Sequence, residues 1–255
     1  MRALALGVLL AAATARADTA SLARELGGPD DAVAEAAAGK LAQSAEPAAI
    51  AALVAALAEG PPPKVAVAAL KALAGKKDAR VVPALVERAQ HRSPEVRKAA
   101  LAALAVAPAT EKRATAALTA ALGDSDAEVR AQAARGLGDR RDRSAEARLV
   151  KLMEHRDMSA APALAAIATP ELAHRLSEML GQVPDPILCT TLGEMLKRAD
   201  FGPEPIRVEV VRTLSKVPGI DSTAVLIEYV ASTERDKNRP SRLEAQKIVD
   251  ERSRQ

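Results

Sequence analysis

The chain is nearly without aromatic residues: no Trp, one Phe (Phe201) and one Tyr (Tyr229) among 255 residues. Two rings leave almost nothing to stack bases or sugars, or to cage a quaternary ammonium. Cysteine is equally scarce. With Cys189 alone, an intramolecular disulfide framework and a zinc ribbon are both excluded. None of the three histidines, His91, His155 and His174, stands in a His-Glu-x-x-His pattern or is followed directly by Glu. Charge of either sign is in little excess, +3 from 36 basic and 33 acidic residues. What is abundant is alanine, 60 residues, in a composition 49% hydrophobic and 27% charged. Such a chain is too apolar for disorder, and an alanine-rich core without aromatics suits closely packed helices rather than sheets.

At the N-terminus, Arg2 precedes an apolar stretch from Ala3 to Ala13, and Ala15-Arg16-Ala17 is an A-x-A site. Residues 1–17 therefore read as a secretory signal peptide, cleaved between Ala17 and Asp18. The stretch is short for a bilayer span, no Cys lies near the site, and no twin-Arg pair precedes it. The expected destination of this bacterial-looking signal is the periplasm or the exterior; an amphipathic first helix is the alternative. Residues 1–17 carry Arg2 and Arg16 and no acid, so without them 34 basic residues face 33 acidic ones, +1. The basic balance that hinted at nucleic acid nearly disappears.

The body repeats itself. Valine recurs at 33, 65, 96 and 129, and leucine at 41, 73, 104 and 137, in steps of 32, 31 and 33. Valine and leucine lie about two helical turns apart, on one face. Each such helix is followed by a second: Ile50, Leu53, Val54 and Leu57 form one stripe, Val82, Leu85 and Val86 the next, then Ala114, Leu118 and Leu122, then Leu149 and Leu152. Neither helix of a unit buries its face alone, but stacked units do. Ser125 with Glu128 reads as a capping box, Ser93-Pro94-Glu95 as a cap with an N1 proline and an acidic first turn, and Gly138 as a helix stop.

The runs Asp124 to Gly138 and Ser93 to Ala100 resemble the HEAT-repeat consensus, most closely the short PBS-lyase HEAT-like variety. The resemblance implies an all-α α-solenoid of stacked antiparallel helix pairs, clear over residues 28–157. It also implies that Arg97 and Arg130 pair with an acidic group across the stack, a structural role; Ala34 and Ala66 replace them in the first two units. The architecture carries many functions, so it raises the expectation of binding without choosing a partner.

After Pro170 only five alanines remain. Met158 to Ala168 and Glu171 to Leu180 read as a helix pair, Pro186 to Arg198 as a further helix, and Ile206 to Val217 with Thr223 to Val230 as a last pair. Arg239 to Gln255 reads as a final polar helix, a cap or, alternatively, a docking element. The expected organisation is one HEAT-like domain over 18–255, with divergent repeats and a cap from about 158.

No catalytic constellation emerges. The histidines read as surface or helix-end residues and Cys189 as a buried small hydrophobe. The His-Glu pairs by which some HEAT-like hydroxylases hold two irons are absent. Asp139-Arg140-Arg141-Asp142-Arg143 reads as a solvated turn of mixed sign, with a basic docking patch as the alternative. Second helices of HEAT stacks usually line the concave surface, where Arg88, Lys112, Arg113, Lys151 and Arg175 are candidates. The expected function is thus a non-enzymatic, exported scaffold binding a protein or peptide along its concave face, with no cofactor, metal or nucleic acid; no specific binding residue is assigned. The alternative is a lyase-like or enzyme-assisting role, as in the bilin lyases. DNA binding, as in HEAT-like glycosylases, is disfavoured by the signal and the missing aromatics.

Overall fold

The computed structural model describes residues 17–44 and 46–254. The signal segment expected from the sequence thus falls outside the described residues except for Ala17. Among the described residues the fold is all-α, with no strand. The helices are α1 (residues 17–26), α2 (Asp31–Ala42), α3 (Pro47–Ala58), α4 (Pro63–Leu73), α5 (Val81–Arg88), α6 (Pro94–Ala105), α7 (Lys112–Ala121), α8 (Ala127–Asp139), α9 (Glu146–Glu154), α10 (Ala160–Ile167), α11 (Pro170–Glu178), α12 (Asp185–Lys197), α13 (Glu204–Lys216), α14 (Ile220–Ser232) and α15 (Pro240–Arg252). Two compact units divide within α8, one ending at Gly136 and the other beginning at Leu137.

In the first unit α2–α3, α4–α5 and α6–α7 are successive antiparallel pairs. First helices stack on first helices (α2 on α4 on α6) and second on second (α3 on α5 on α7). The repeat valine is the third residue of every first helix. Val65, Val96 and Val129 are buried with Leu41, Leu73, Leu104 and Leu137, while Val33, in the first pair, is exposed. The second unit follows the same plan: α10, α12 and α14 stack in one row, α11, α13 and α15 in the other. The chain is an α-solenoid of stacked helix pairs. This row order corrects the pairing read from the sequence. The helix 206–217 belongs with α12, and the last pair is α14–α15, so α15 is the second helix of a full repeat.

Proline sets many of the starts. It opens α3, α4, α6, α11 and α15 and stands second in α12 and α13. There its fixed φ fits the helix and its missing N–H goes unneeded. The caps differ in part from expectation. Asp126, not Ser125, caps α8, accepting from the N–H groups of Glu128 at 2.9 Å and Val129 at 3.1 Å; a carboxylate outcompetes the neighbouring hydroxyl at the positive helix end. Ser93 stands at the N-cap of α6 but its side chain makes no cap bond. Gly138 does not stop α8, which runs on to Asp139. A Cβ there would lie 3.2 Å from Ala163 Cα, so the glycine lets α10 approach closely.

A short-helix stack exposes many carbonyls at helix ends, each needing a donor. Cationic side chains supply them. Lys76 Nζ donates to the carbonyls of Ala42 (2.6 Å) and Ser44 (2.8 Å), at and past the end of α2. Arg97 donates to His91 O at 2.9 Å, and Arg130 to Asp124 O at 2.8 Å. Arg198 donates to Ala165 O at 2.6 Å. Arg252 donates to Ser215 O and Val217 O at 2.7 and 3.0 Å.

Arg97 also meets its expected acid. Its Nε and Nη2 donate to the two carboxylate oxygens of Asp124 at 2.8 and 2.7 Å. Burial opposes the Asp124 charge, but the Arg97 hydrogen bonds and charge, with the Asp126 N–H, hold its carboxyl below the usual range. A lowered carboxylate pKa gives stability that is full above the unfolded value, about 3.9, and fades as pH falls through the native one. Arg97→Gln is therefore expected to lower stability by about 1.5–3 kcal/mol at pH 7. Urea midpoints of the two proteins should converge as pH drops below about 4, leaving only the share from the carbonyl bonds.

Candidate interaction surfaces

In the first helices, positions 3, 7 or 8, and 10 or 11 point into the stack, so positions 2, 5, 6 and 9 point away from it. On α4 these outward positions include Lys64, Val67 and Lys71. On α6 they are Glu95, Lys98, Ala99 and Ala102, and on α8 Glu128, Ala131, Gln132 and Arg135. Together with Glu35 of α2 they line one groove of about 760 Å³ across four first helices. Its floor is Val67, Ala99, Ala102 and Ala131; its edges carry charges of both signs. Lys98 and Glu128 form an ion pair from α6 to α8.

This groove lies on the first-helix row, whereas the sequence reading placed the binding surface on the second helices. First helices pack on each other more closely than second helices do. Alanines such as Ala37, Ala66, Ala69 and Ala100 are buried in that row, whereas Ile50, Leu53 and Leu85 fill the other. The groove lies on that closely packed row. None of Arg88, Lys112, Arg113, Lys151 and Arg175 lines it. Arg88 pairs with Glu87 at 2.8 Å, and Arg175 pairs with Glu146. Lys112 and Lys151 are exposed. Arg113 borders a second hollow, also of about 760 Å³, between α5 and α7 on the second-helix row.

The histidines are not brought together. His91 Nδ1 accepts from the Ser93 N–H at 3.1 Å. Burial and then the charges of Arg88, Arg92 and Arg97 lower its pKa. The exposed His155 contacts Lys151 O through Nδ1 at 2.6 Å. His174 meets Glu209 at 2.6 Å and Glu178 at 3.5 Å, and these carboxylates raise its pKa. Cys189 is buried, and burial pushes its thiol up to about 11. In the Asp139–Arg143 run, Arg141 turns at φ 50° and pairs with Asp200. Among the described residues no three His, Cys, Asp or Glu side chains gather as a metal site, and no helix is long and apolar enough to cross a membrane.

One buried cluster has no counterpart in the sequence patterns. Arg207 is 1% exposed, and Nη1 donates to Leu196 O at 3.0 Å while Nη2 donates to Arg198 O at 2.6 Å and Ala199 O at 3.3 Å. Its guanidinium lies 5.5 Å from the Phe201 ring centre. Nearby, the Tyr229 hydroxyl meets Ser241 Oγ at 2.6 Å, and Ser241 Oγ donates to Glu204 at 2.7 Å. Both aromatic residues are thus buried in packing rather than offered to a ligand.

The family model of HEAT repeats matches residues 50–125 and 115–197, more than half of the chain. Among solved structures, the CpcE–CpcF complex of phycocyanin lyase from Nostoc sp. PCC7120 is similar at 19% identity, over 90% of this chain and 92% of that one, with a TM-score of 0.48. Human deoxyhypusine hydroxylase is similar at 18% identity, over 96% and 99%, with a TM-score of 0.46. The karyopherin Kap121p, bound to the extreme C-terminus of the protein phosphatase Cdc14p, reaches a TM-score of 0.53 at 12% identity. That alignment covers 91% of this chain but 29% of the karyopherin. Likeness at these identities shows the fold alone. No curated protein matches the chain. On the repeat register, the helix rows and the family match, the chain belongs to the HEAT-repeat family.

Proposed function

We propose that this protein is a non-enzymatic scaffold that holds an extended segment of a protein partner in the groove across α2, α4, α6 and α8. One observation carries the reading: a recess continuous over four repeats, floored by Val67, Ala99, Ala102 and Ala131 and edged by charges. Small floor residues let a peptide backbone come close, and the edge charges fix its register. Helices about 8–10 Å apart give a path of about 25–30 Å, which about eight extended residues span. The surface is already assembled by the stack, so binding orders little of the scaffold. Kap121p, which shares the helical-repeat fold, likewise holds the terminal segment of another protein.

Crosslinking pull-down from the native envelope tests the reading. One partner should be recovered with the wild-type chain and lost with Ala102→Trp, which fills the floor; equal recovery with both would contradict it. Export belongs to the same proposal, on the strength of the Arg2–Ala17 segment. Cell fractionation is expected to find a mature chain beginning at Asp18 outside the cytoplasm. A full-length cytosolic chain would overturn the export reading and leave the groove untouched.

A further inference from the structure

The hollow between α5 and α7 lies on the second-helix row and has a different character from the groove. Its floor is alanine, including Ala89, Ala117 and Ala120. Its rim carries Arg92, Arg97 and Arg113 against a single lining carboxylate, Asp124, among the described residues. That carboxylate is already taken, bidentate, by Arg97. Arg92 and Arg113 are exposed on the rim, opposite no other lining acid among the described residues. We propose that this hollow binds carboxylate side chains in an acidic segment of a protein partner, with Arg92 and Arg113 as the anchoring groups.

The chemistry favours carboxylates over other anions. A guanidinium presents a planar fork that matches a carboxylate, and Arg97 with Asp124 shows that match inside the same hollow. The alanine floor suits the methylenes of Glu side chains. The lowered pKa of His91, to which Arg88, Arg92 and Arg97 contribute, reports the positive field there. A nucleic acid would find no Phe or Tyr to stack on, since Phe201 and Tyr229 are both buried, and His91 is the one ring among the lining residues. The hollow is separate from the groove, which uses other helices and other residues.

Fluorescence anisotropy of a fluorescein-labelled deca-glutamate peptide against the full chain tests the proposal. Binding should weaken about tenfold or more in Arg92→Glu/Arg113→Glu, and by less in Arg92→Gln/Arg113→Gln, which removes charge without reversing it. Arg235→Glu/Lys237→Glu, an exposed pair that lines neither recess, should leave the affinity within about twofold. Both arginines are exposed, so helicity and melting should match wild type. Four results would each overturn the proposal. They are no binding by the wild-type chain, undiminished binding by the Arg92/Arg113 variants, equal loss in the Arg235/Lys237 variant, and tighter binding of an oligonucleotide of equal charge.

Discussion

Replacing Arg207 by methionine is expected to lower the stability of the second unit by about 3 kcal/mol or more. Methionine keeps most of the volume and apolar reach, so the loss reads the guanidinium itself. Three carbonyls, of Leu196, Arg198 and Ala199, would lose their donor at the end of α12. They lie where backbone carbonyls have no intrahelical partner and water enters poorly. The cation over Phe201 adds a smaller contribution. Arg207→Lys should recover part of the loss, because one ammonium cannot bridge carbonyls on both sides of a planar fork. Urea unfolding followed by circular dichroism checks this. A methionine variant with the wild-type midpoint would show that water or a shifted backbone satisfies the carbonyls.

The second large effect concerns a glycine in the middle of a helix. Alanine there would ordinarily stabilise α12 by up to about 1 kcal/mol. At Gly193 the sign is expected to reverse, with Gly193→Ala destabilising by about 1–3 kcal/mol. A Cβ at this position would sit 2.7 Å from Val225 Cγ1 on α14 and 3.4 Å from its Cγ2. Valine has one strongly preferred rotamer in a helix and cannot swing away. The clash therefore pushes α12 from α14, two helices stacked in the same row. In a Val225→Ala background the obstacle is gone, and Gly193→Ala should become neutral or stabilising. Thermal unfolding of the four proteins of this cycle decides it. Additive effects, with the same loss in both backgrounds, would mean that the helices are not held at this separation.

The repeat is legible in the sequence because its physics is local and periodic. The valine and leucine eight residues apart mark one helix face, and prolines and glycines punctuate the units. The third-position valines fall in one register in all four first helices of the clear repeats. Contacts distant along the chain leave no such mark. The Arg207 cluster joins α12, α13 and the loop between them, and neither Phe201 nor Arg207 has a periodic signature. Periodicity mispairs the helices after residue 180 because α13 and α14 are separated only by a short Pro218-Gly219 turn, as the two helices of one pair often are. It also does not point to the groove on the first helices, since amphipathic phase says which face is buried, not where a recess forms. The difference lies in which alanines are buried: those of the first helices mostly are, and small buried residues permit the closer approach. Asp126 and Ser125 are both reasonable caps one residue apart, a difference that spacing alone does not resolve.

The proposal that the groove on the first helices is the working surface is tested most directly by site-specific photo-crosslinking in cells that make the protein. The photoreactive residue is placed in turn at Ala102 in the groove floor and at Ala147 on the exposed side of α9. A scaffold working through the groove gives one discrete crosslinked partner from Ala102 and none from Ala147. The same partner captured equally well from both positions, or captured from Ala147 alone, would contradict it.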